Sequence, residues 1–322
     1  MAPNMLKNQL VSICMPTYNT GKYIAAAIQS VVHQTYQNWE LIIVNDGSTD
    51  DTKLIIETQF KDDRIRLINI NNSGAAAARN LAYSASKGKY IKFLDSDDLI
   101  NPEMIEAQIA LTENDNFIIS ATWGRFYNND LSTFQLNPED CWQTLTPVEW
   151  ICNSWKYAHS MTTPGIFLIP KTIIEKAGLW DENLSLLDDT EYFTRTILAA
   201  DKVIFSTNST LYYRSGNRGS LSGQTSKIHA QSAYYSLLKS SQYLIAAQNN
   251  PATRLLSANS LQLFLYSIYP YFPALCRAIE KEIKDFGGST IKWRSSGWSS
   301  VIEKAFGWKL AKKIQLLKQR IA

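Results

Sequence analysis

The first hundred residues alternate between short β-branched runs and segments with helical spacing. This pattern predicts strands at 10–15, 40–44, 64–70 and 90–94 and helices at 22–33, 51–60 and 75–86. Strict alternation is typical of a parallel sheet with right-handed crossovers, because each strand needs a returning connection before the next can pair beside it. The sequence therefore predicts an α/β fold with a mostly parallel central sheet flanked by helices.

The later chain is more irregular. We expect strands at 116–123, 165–169, 203–207 and 210–213, and helices at 171–177 and from 187 to about 200. A Gly- and Ser-rich loop at 214–223 follows, and helical patterns continue to the end of the chain. The sequence therefore predicts a C-terminal helical region over 224–322.

The composition is that of a folded globular protein, with 45% hydrophobic and 19% charged residues. The net charge of +3 creates no overall field that would require nucleic acid as a partner. The four cysteines are widely spaced and form no zinc pattern, so we expect a reducing compartment. No segment resembles a leader peptide or a membrane span, which favours a cytoplasmic location, either free or peripheral on the inner face of a membrane.

Polar clusters follow each of the first four predicted strands. They lie at 16–19, 45–50, 71–74 and 95–98. Parallel strands place their carboxyl ends along one edge of the sheet, where α/β proteins bind ligands. Each cluster alone is also compatible with ordinary turn chemistry, but the four together favour a binding site.

Three carboxylates, those of Asp95, Asp97 and Asp98, fall within four residues. Like charges this close repel one another unless a cation or strong hydrogen bonds offset them. Carboxylate oxygens suit hard ions such as Mg²⁺ or Mn²⁺. The alternative is an acidic turn that caps the following helix.

Several of these motifs, in this order, resemble family 2 glycosyltransferases with the GT-A fold. The resemblance spans roughly residues 8 to 223 and rests on Pro16-Thr17-Tyr18-Asn19, Val44 to Asp50, Ala78-Arg79-Asn80, Phe93 to Asp98 and Asp188-Asp189. It implies a GT-A domain over 1–223, with a nucleotide-binding half at about 8–100 and an acceptor half at about 101–223. It also implies a nucleotide-diphosphate sugar donor, most often a UDP-sugar, and a divalent metal.

The resemblance assigns the donor site. It implies that Thr17 and Tyr18 lie beside the base and the ribose and that Asp46 accepts a hydrogen bond from the base. Asp97 is implied as a direct metal ligand, and Asp95 as a ribose or water-mediated partner. The same motifs add Pro16, Asn19, Ser48 and Ser96 to the expected donor site. Arg79 and Asn80 either orient Asp46 or contact the nucleotide, and Arg79 can instead be a structural ion-pair partner.

The acidic pair Asp188-Asp189 occupies the place where the family carries its catalytic base, commonly as Glu-Asp. We expect Asp189 to be the base that deprotonates the acceptor hydroxyl. Asp188 with Glu191 also has the spacing of a capping box, and both roles are compatible. From the loop at 214–223 we expect Arg214 or Arg218, with Ser220, to close over the diphosphate. His159 is a further candidate, as an acceptor contact or a metal ligand.

The last 22 residues hold six basic side chains against one glutamate. The pattern of Lys309, Leu310, Lys313, Ile314 and Leu317 predicts a basic amphipathic helix. Such a helix could lie on an anionic membrane near a lipid-linked acceptor, pack on its own domain, or form a homodimer.

The resemblance therefore implies a metal-dependent, inverting hexosyl- or N-acetylhexosaminyltransferase that acts on a carbohydrate or lipid-linked acceptor. A surface polysaccharide or glycolipid is the expected product. A nucleotide-sugar-binding or scaffold protein without turnover is the alternative. A dehydrogenase is disfavoured because no Gly-x-Gly-x-x-Gly follows the first strand.

Overall fold

The computed structural model describes residues 8–157, 163–216, 226–295 and 297–321. The strands are β1 (Val11–Thr17), β2 (Trp39–Asp46), β3 (Ile65–Ile70), β4 (Tyr90–Phe93), β5 (Leu99–Ile100), β6 (Phe117–Tyr127), β7 (Asp130–Leu136), β8 (Ile169–Pro170) and β9 (Lys202–Ser215). The helices of the first 200 residues are α1 (Ile24–Val32), α2 (Thr52–Gln59), α3 (Ala75–Ser84), α4 (Met104–Ile109), α5 (Pro147–Trp155), α6 (Lys171–Ala177) and α7 (Asp188–Leu198). The helices after β9 are α8 (Lys227–Ala247), α9 (Pro251–Ile268), α10 (Pro273–Asp285), α11 (Trp298–Phe306) and α12 (Trp308–Ile321).

The central sheet has five strands in the order β3-β2-β1-β4-β8. The first four run parallel, and β8 pairs with β4 in the antiparallel direction. Strands β1 and β4 are buried along their whole length, as expected for strands covered on both faces by helices. The predicted α/β fold with a mostly parallel sheet is confirmed, as are the helices that end the chain.

A second sheet, in the order β5-β9-β6-β7, was not expected from the sequence. The predicted strands at 203–207 and 210–213 are one strand, β9, which runs parallel to β6 with a register shift between Ala121 and Thr122. Strand β5 pairs with β9 at Leu99 and Tyr212, and so brings the end of β9 beside the acidic turn at 95–98. The second sheet therefore contributes to the region where the polar clusters meet.

The predicted strand at 165–169 is wrong over its first part. Residues Pro164–Ile166 form a 3-10 turn, whereas Leu168 makes an isolated bridge with Ile119 and Ile169–Pro170 pair with β4. Pro164 has no N–H to donate to a sheet. Gly165 packs so closely that an added Cβ would lie 2.6 Å from the Leu211 Cδ1 atom. The apolar run is buried because it lies between the two sheets, which is why it looked like a strand.

The C-terminal helices form a core of their own. Buried side chains of α8, α9 and α10 pack together there, among them Tyr234, Leu265 and Ile279. The predicted domain boundary at residue 223 falls outside the described residues and stays a prediction. Within the described part of the chain, none of the helices combines the length and the apolar character that crossing a membrane requires.

Lys92, in the middle of β4, is fully buried beneath the acidic turn. Its ammonium nitrogen lies 3.0 Å from the Gln108 Oε1 atom and 3.4 Å from the Phe167 carbonyl oxygen. Desolvation disfavours the charged form and lowers the pKa of Lys92 from its usual 10.5 to about 7. The folded protein therefore holds a largely neutral amine at alkaline pH.

This burial predicts a pH-dependent stability. Between pH 7 and 10 the unfolded chain keeps the Lys92 proton and the folded chain does not, so the free energy of unfolding rises with pH. Lys92→Met removes this contribution. We expect the parent protein to gain stability relative to Lys92→Met by about 1 kcal/mol per pH unit over this window, measured by urea denaturation. Parallel pH profiles for the two proteins would contradict the buried neutral lysine.

Candidate active site

The loops after β1 and β2 are joined by hydrogen bonds at the carboxyl edge of the central sheet. The Asn19 backbone N–H donates to the Ser48 hydroxyl at 3.0 Å, and the Asn19 side-chain oxygen accepts from the Thr49 backbone N–H at 2.8 Å. Asn19 adopts a left-handed backbone with φ of 52°, a conformation that asparagine tolerates better than most residues. The structure thus brings two of the four polar clusters together.

Asp46 joins the loops after β2 and β3. Its two carboxylate oxygens accept from the backbone N–H groups of Ser73 and Gly74, at 2.6 and 2.9 Å. Nearby, Thr17 is buried and Tyr18 is half exposed, while Pro16 is buried opposite Val44 in the sheet. The expected contacts of Thr17, Tyr18 and Asp46 with a base or a ribose stay predictions.

The acidic turn lies beside the end of β9. The Arg214 backbone N–H donates to Asp98 Oδ1 at 2.9 Å, and its Nε–H donates to the Asp97 carbonyl oxygen at 2.6 Å. Ser96 and Asp98 are buried, and Asp95 and Asp97 are partly exposed. Burial, and then the charges of Asp97 and Asp95, raise the pKa of Asp98 well above its usual range. The charges of Asp97 and Asp95 thus act on Asp98, and Arg214 offsets part of their effect.

Arg214 is almost wholly buried in this arrangement. Its guanidinium lies 4.8 Å from the ring centroid of Tyr23 and 4.4 Å from that of Phe126, and it donates to the Asn129 side-chain oxygen. It thus braces the acidic turn against the second sheet. Its expected closure over a diphosphate stays a prediction. The other expected residues of this kind, Arg218, Ser220 and His159, lie outside the described residues.

Arg79 connects the two acidic motifs. Its Nη2 lies 2.8 Å from Asp95 Oδ1, and its Nη1 lies 2.9 Å from Asp188 Oδ2. The side chain is 7–8% exposed, and its guanidinium packs over the Trp180 ring at 4.4 Å. One buried cation therefore holds together two carboxylates that are 93 residues apart in the chain. The contact of Arg79 goes to Asp95 and Asp188, whereas Asp46 is held by backbone amides.

The neighbouring Asn80 holds the segment that leads to α7. Its side-chain amide donates to the Trp180 carbonyl oxygen at 3.0 Å and to a Glu182 carboxylate oxygen at 2.8 Å. Its side-chain oxygen accepts from the Trp180 N–H at 2.9 Å. Helix α3 therefore uses two adjacent residues, Arg79 and Asn80, to fix the approach to the acidic pair.

The capping-box interpretation of Asp188 is wrong. The N-cap of α7 is Leu187, in a left-handed conformation with φ of 59°, and no side chain caps the helix. Asp188 is committed to Arg79, and Glu191 pairs with Arg195 at 2.9 Å instead of reaching back. The sequence has the spacing of a capping box, but Arg79 binds the Asp188 carboxylate and Arg195 binds the Glu191 carboxylate.

Asp189 lies at the first turn of α7 and is partly buried. Its Oδ1 accepts from the Thr190 backbone N–H at 2.7 Å. Burial, and then the charge of Asp188, raise the pKa of Asp189 to about 7. A carboxylate with such a pKa can accept a proton near neutral pH.

Three buried serines on α8 form hydrogen bonds to the backbone just before and at the start of α7. Ser232 Oγ accepts from the backbone N–H groups of Ser185 and Leu186, at 2.8 and 3.0 Å. Ser236 donates to the Leu186 carbonyl oxygen at 3.3 Å, and Ser240 donates to the Thr190 carbonyl oxygen at 3.2 Å. Sequence reasoning missed this contact, although the serines recur every four residues and so share one face of a helix.

The acidic turn fits a divalent cation in the chemistry of its donors, because Asp95 and Asp97 offer hard, partly exposed carboxylate oxygens. Within the ranges that the structure describes, no group of three or more His, Cys, Asp or Glu side chains is arranged to hold a metal. Mg²⁺ commonly takes one or two carboxylates and completes its shell with phosphate and water. The turn is thus compatible with a metal that arrives with a diphosphate.

Comparisons with known proteins identify the family of the chain. The family model "Glycosyl transferase family 2" matches residues 12–178, over half of the chain. The chain belongs to glycosyl transferase family 2. It is therefore a glycosyltransferase, as the sequence motifs indicated.

Individual relatives extend the comparison. Glycosyltransferase GlyG of Streptococcus pneumoniae serotype 4 is 33% identical over 222 residues, which cover 64% of this chain and 71% of GlyG. A β-1,3-glucosyltransferase of Escherichia coli, WfgD, is 43% identical over 122 residues, which cover 38% of this chain and 47% of WfgD. The alignment thus spans less than half the length of WfgD.

The fold also matches that of TarS from S. aureus, solved over residues 1–349 in complex with UDP-GlcNAc. The TM-score is 0.61 at 18% identity, and the match covers 86% of this chain and 89% of that one. The GT-A fold expected from the sequence is thereby confirmed.

The double ion pair of Arg79 predicts a coupled loss of stability. Arg79→Met leaves Asp95 and Asp188 without their cation, so we expect the free energy of unfolding to fall by about 3–5 kcal/mol. Asp188→Asn in the same chain removes one of the two unpaired charges, and should recover part of that loss. Urea denaturation of both single variants and the double variant measures the coupling. Strictly additive losses would show that the contact carries no coupling energy.

The hydrogen bonds of Ser232 predict that removing its hydroxyl lets the backbone at Ser185 and Leu186 open locally. Ser232→Ala removes the acceptor for the Ser185 and Leu186 amides, so their protection against hydrogen exchange should fall at least tenfold. Ser267→Ala, on exposed α9 surface, is a matched control because its hydroxyl bonds only its own helix at Phe264. Equal protection of the two amides in both variants would contradict the bracing role of α8.

Proposed function

We propose that this glycosyltransferase moves a sugar from a nucleotide-diphosphate sugar, most favourably a UDP-sugar, to a hydroxyl of a carbohydrate or lipid-linked acceptor, with inversion and with a divalent metal. The observation that carries the proposal is the bridge from Asp95 through Arg79 to Asp188. It holds an acidic motif suited to a donor diphosphate beside an acidic pair suited to an acceptor. Sugar transfer needs both in one place.

The donor assignment is supported by relatives. TarS was crystallised with UDP-GlcNAc and with UDP, and the name of WfgD gives UDP-glucose as its donor and a diphosphoundecaprenol-linked GlcNAc as its acceptor. Another relative, TuaG of Bacillus subtilis, is named for teichuronic acid biosynthesis. We therefore favour a hexose or N-acetylhexosamine on UDP, and a product in surface polysaccharide or glycolipid assembly.

Asp97 and Asp95 are the residues that would hold the metal. The family motif points to Asp97 as the direct ligand, and Asp95 gives one carboxylate oxygen to Arg79. When bound, Mn²⁺ or Mg²⁺ would offset the charge that builds on the leaving diphosphate. Arg214 holds the Asp97 carbonyl and the Asp98 carboxylate and so keeps the turn in one shape.

Asp189 is the proposed base. It removes the proton from the acceptor hydroxyl as that oxygen attacks the anomeric carbon from the face opposite the diphosphate, which inverts the configuration. Asp188 is less suited because its Oδ2 is held by Arg79 at 2.9 Å. We propose that Asp188 orients the start of α7, while the pKa of Asp189, raised to about 7 by burial, suits it for accepting the proton.

We also propose that the enzyme works in the cytoplasm, which suits its four free cysteines. The proposed domain division is a GT-A domain over 1–223 and a helical region over 224–322.

The test is donor binding and turnover with a panel of nucleotide sugars, with and without Mn²⁺. We expect Asp97→Ala to abolish metal-dependent donor binding. Asp189→Asn should bind the donor normally and lose at least a hundredfold in kcat, because general-base catalysis contributes about 10²–10⁴-fold. Asp285→Asn, in an exposed ion pair on α10, controls for the loss of a carboxylate and should change neither property.

The paired variant Asp188→Asn decides between the two carboxylates. It should lower kcat less than Asp189→Asn, because it keeps the proton acceptor and loses only an orienting contact. The reverse order would move the base to Asp188. If no nucleotide sugar binds with any metal, the acidic turn is only structural and the proposed donor site is withdrawn.

A further inference from the structure

The last two helices present apolar side chains to solvent. Val301 is 66% exposed, Phe306 71%, Leu310 42% and Leu317 57%. Leu310 and Leu317 are seven residues apart, two helical turns, and so lie on the same side of α12. We call these four side chains the tail apolar set.

The opposite side of α12 is already used in packing. Trp308 makes edge contacts with the rings of Tyr266 and Tyr269, at centroid distances of 4.7 and 5.0 Å, and Ala311 is fully buried. Lys309 pairs with Glu280 of α10 at 2.7 Å. The helix is therefore anchored on its own domain by one side while the tail apolar set faces outward.

The segment that carries the tail apolar set is rich in basic residues. Residues 292–318 contain one acidic residue, Glu303, and seven basic ones: Lys292, Arg294, Lys304, Lys309, Lys312, Lys313 and Lys318. This segment has a net charge of +6, so the remainder of the chain has a net charge of −3. Lys304 is exposed two residues from Phe306 along the chain, and Lys313 is exposed three residues from Leu310. The two helices thus present both apolar and basic side chains to solvent.

Two occupants suit an exposed apolar set, and the charge distinguishes them. A twofold dimer would place the same patch against itself, and so bring two segments of charge +6 together. An anionic lipid surface offers negative headgroups to the lysines and an acyl boundary to the phenylalanine and leucines. Charge complementarity therefore favours the lipid.

We propose that α11 and α12 form a docking surface for anionic membranes, with the tail apolar set inserted among the headgroups and the flanking lysines bound to lipid phosphates. This surface is independent of the donor-site assignment, because it shares no residue with it. An enzyme held in this way would work at the surface where a lipid-linked acceptor is present.

The experiment is sedimentation of the full chain with phosphatidylcholine vesicles, with and without about 30% phosphatidylglycerol. We expect binding only to the anionic vesicles, weakening as salt is raised. Phe306→Ser with Leu310→Ser should weaken binding at least tenfold, because two buried apolar side chains are lost. Lys304→Gln with Lys313→Gln should weaken it by more than tenfold, at about fivefold for each lysine.

A matched control is Leu54→Ser on α2, where a leucine is 59% exposed far along the chain from this surface. It should bind vesicles as the parent does, and circular dichroism should show that every variant is folded. Equal binding to neutral vesicles, no binding to anionic vesicles, or unchanged binding by the serine variant would each overturn the proposal. A dimer in light scattering that the serine variant dissociates, without vesicle binding, would assign the surface to a second copy.

Discussion

The site depends on one buried guanidinium. Arg79 cannot lose its proton, and burial makes an unpaired positive charge costly, so the chain must supply carboxylates to it. It does so from two distant places, the turn after β4 and the start of α7. Any rearrangement that separates these two motifs must break at least one of the two ion pairs of a buried arginine. The donor side and the acceptor side of the proposed site are thereby held in a fixed relation.

Much of the secondary structure in the first half of the chain could be predicted, because the spacing of apolar residues within each short segment indicates whether it forms a strand or a helix. Periodicity located the four parallel strands of the central sheet within one or two residues of their ends, and helix α6 at both ends. The same reasoning failed at Pro164–Ile166, where an apolar run is buried between two sheets without pairing as a strand. The β6–β7 hairpin was missed although Asn128-Asn129, both with positive φ, is a recognisable turn signal between two β runs.

In the candidate site, too, some residues could be predicted from the sequence and others could not. The resemblance selected Asp95, Arg79 and Asp188 from their motifs, and the structure brings these three into contact. The sequence alone could not show that these residues pair, because nothing in the sequence around an arginine identifies the carboxylates that it contacts in the fold. Asn80, Trp180 and the α8 serines were missed as supports for the same reason. Such contacts arise from tertiary packing, which neither motif nor periodicity encodes.

Helix α8 belongs to the C-terminal region by sequence, yet its serines hold the backbone on either side of the acidic pair. The region that matches the family model ends at residue 178, before both the pair and this helix. A fragment trimmed to the family match would lack the acidic pair itself. A fragment cut ahead of residue 227 would keep every strand of the central sheet and still lack the serines that position Leu186 and Thr190. A truncation made for protein engineering should therefore keep α8 together with the strands and loops that carry the motifs.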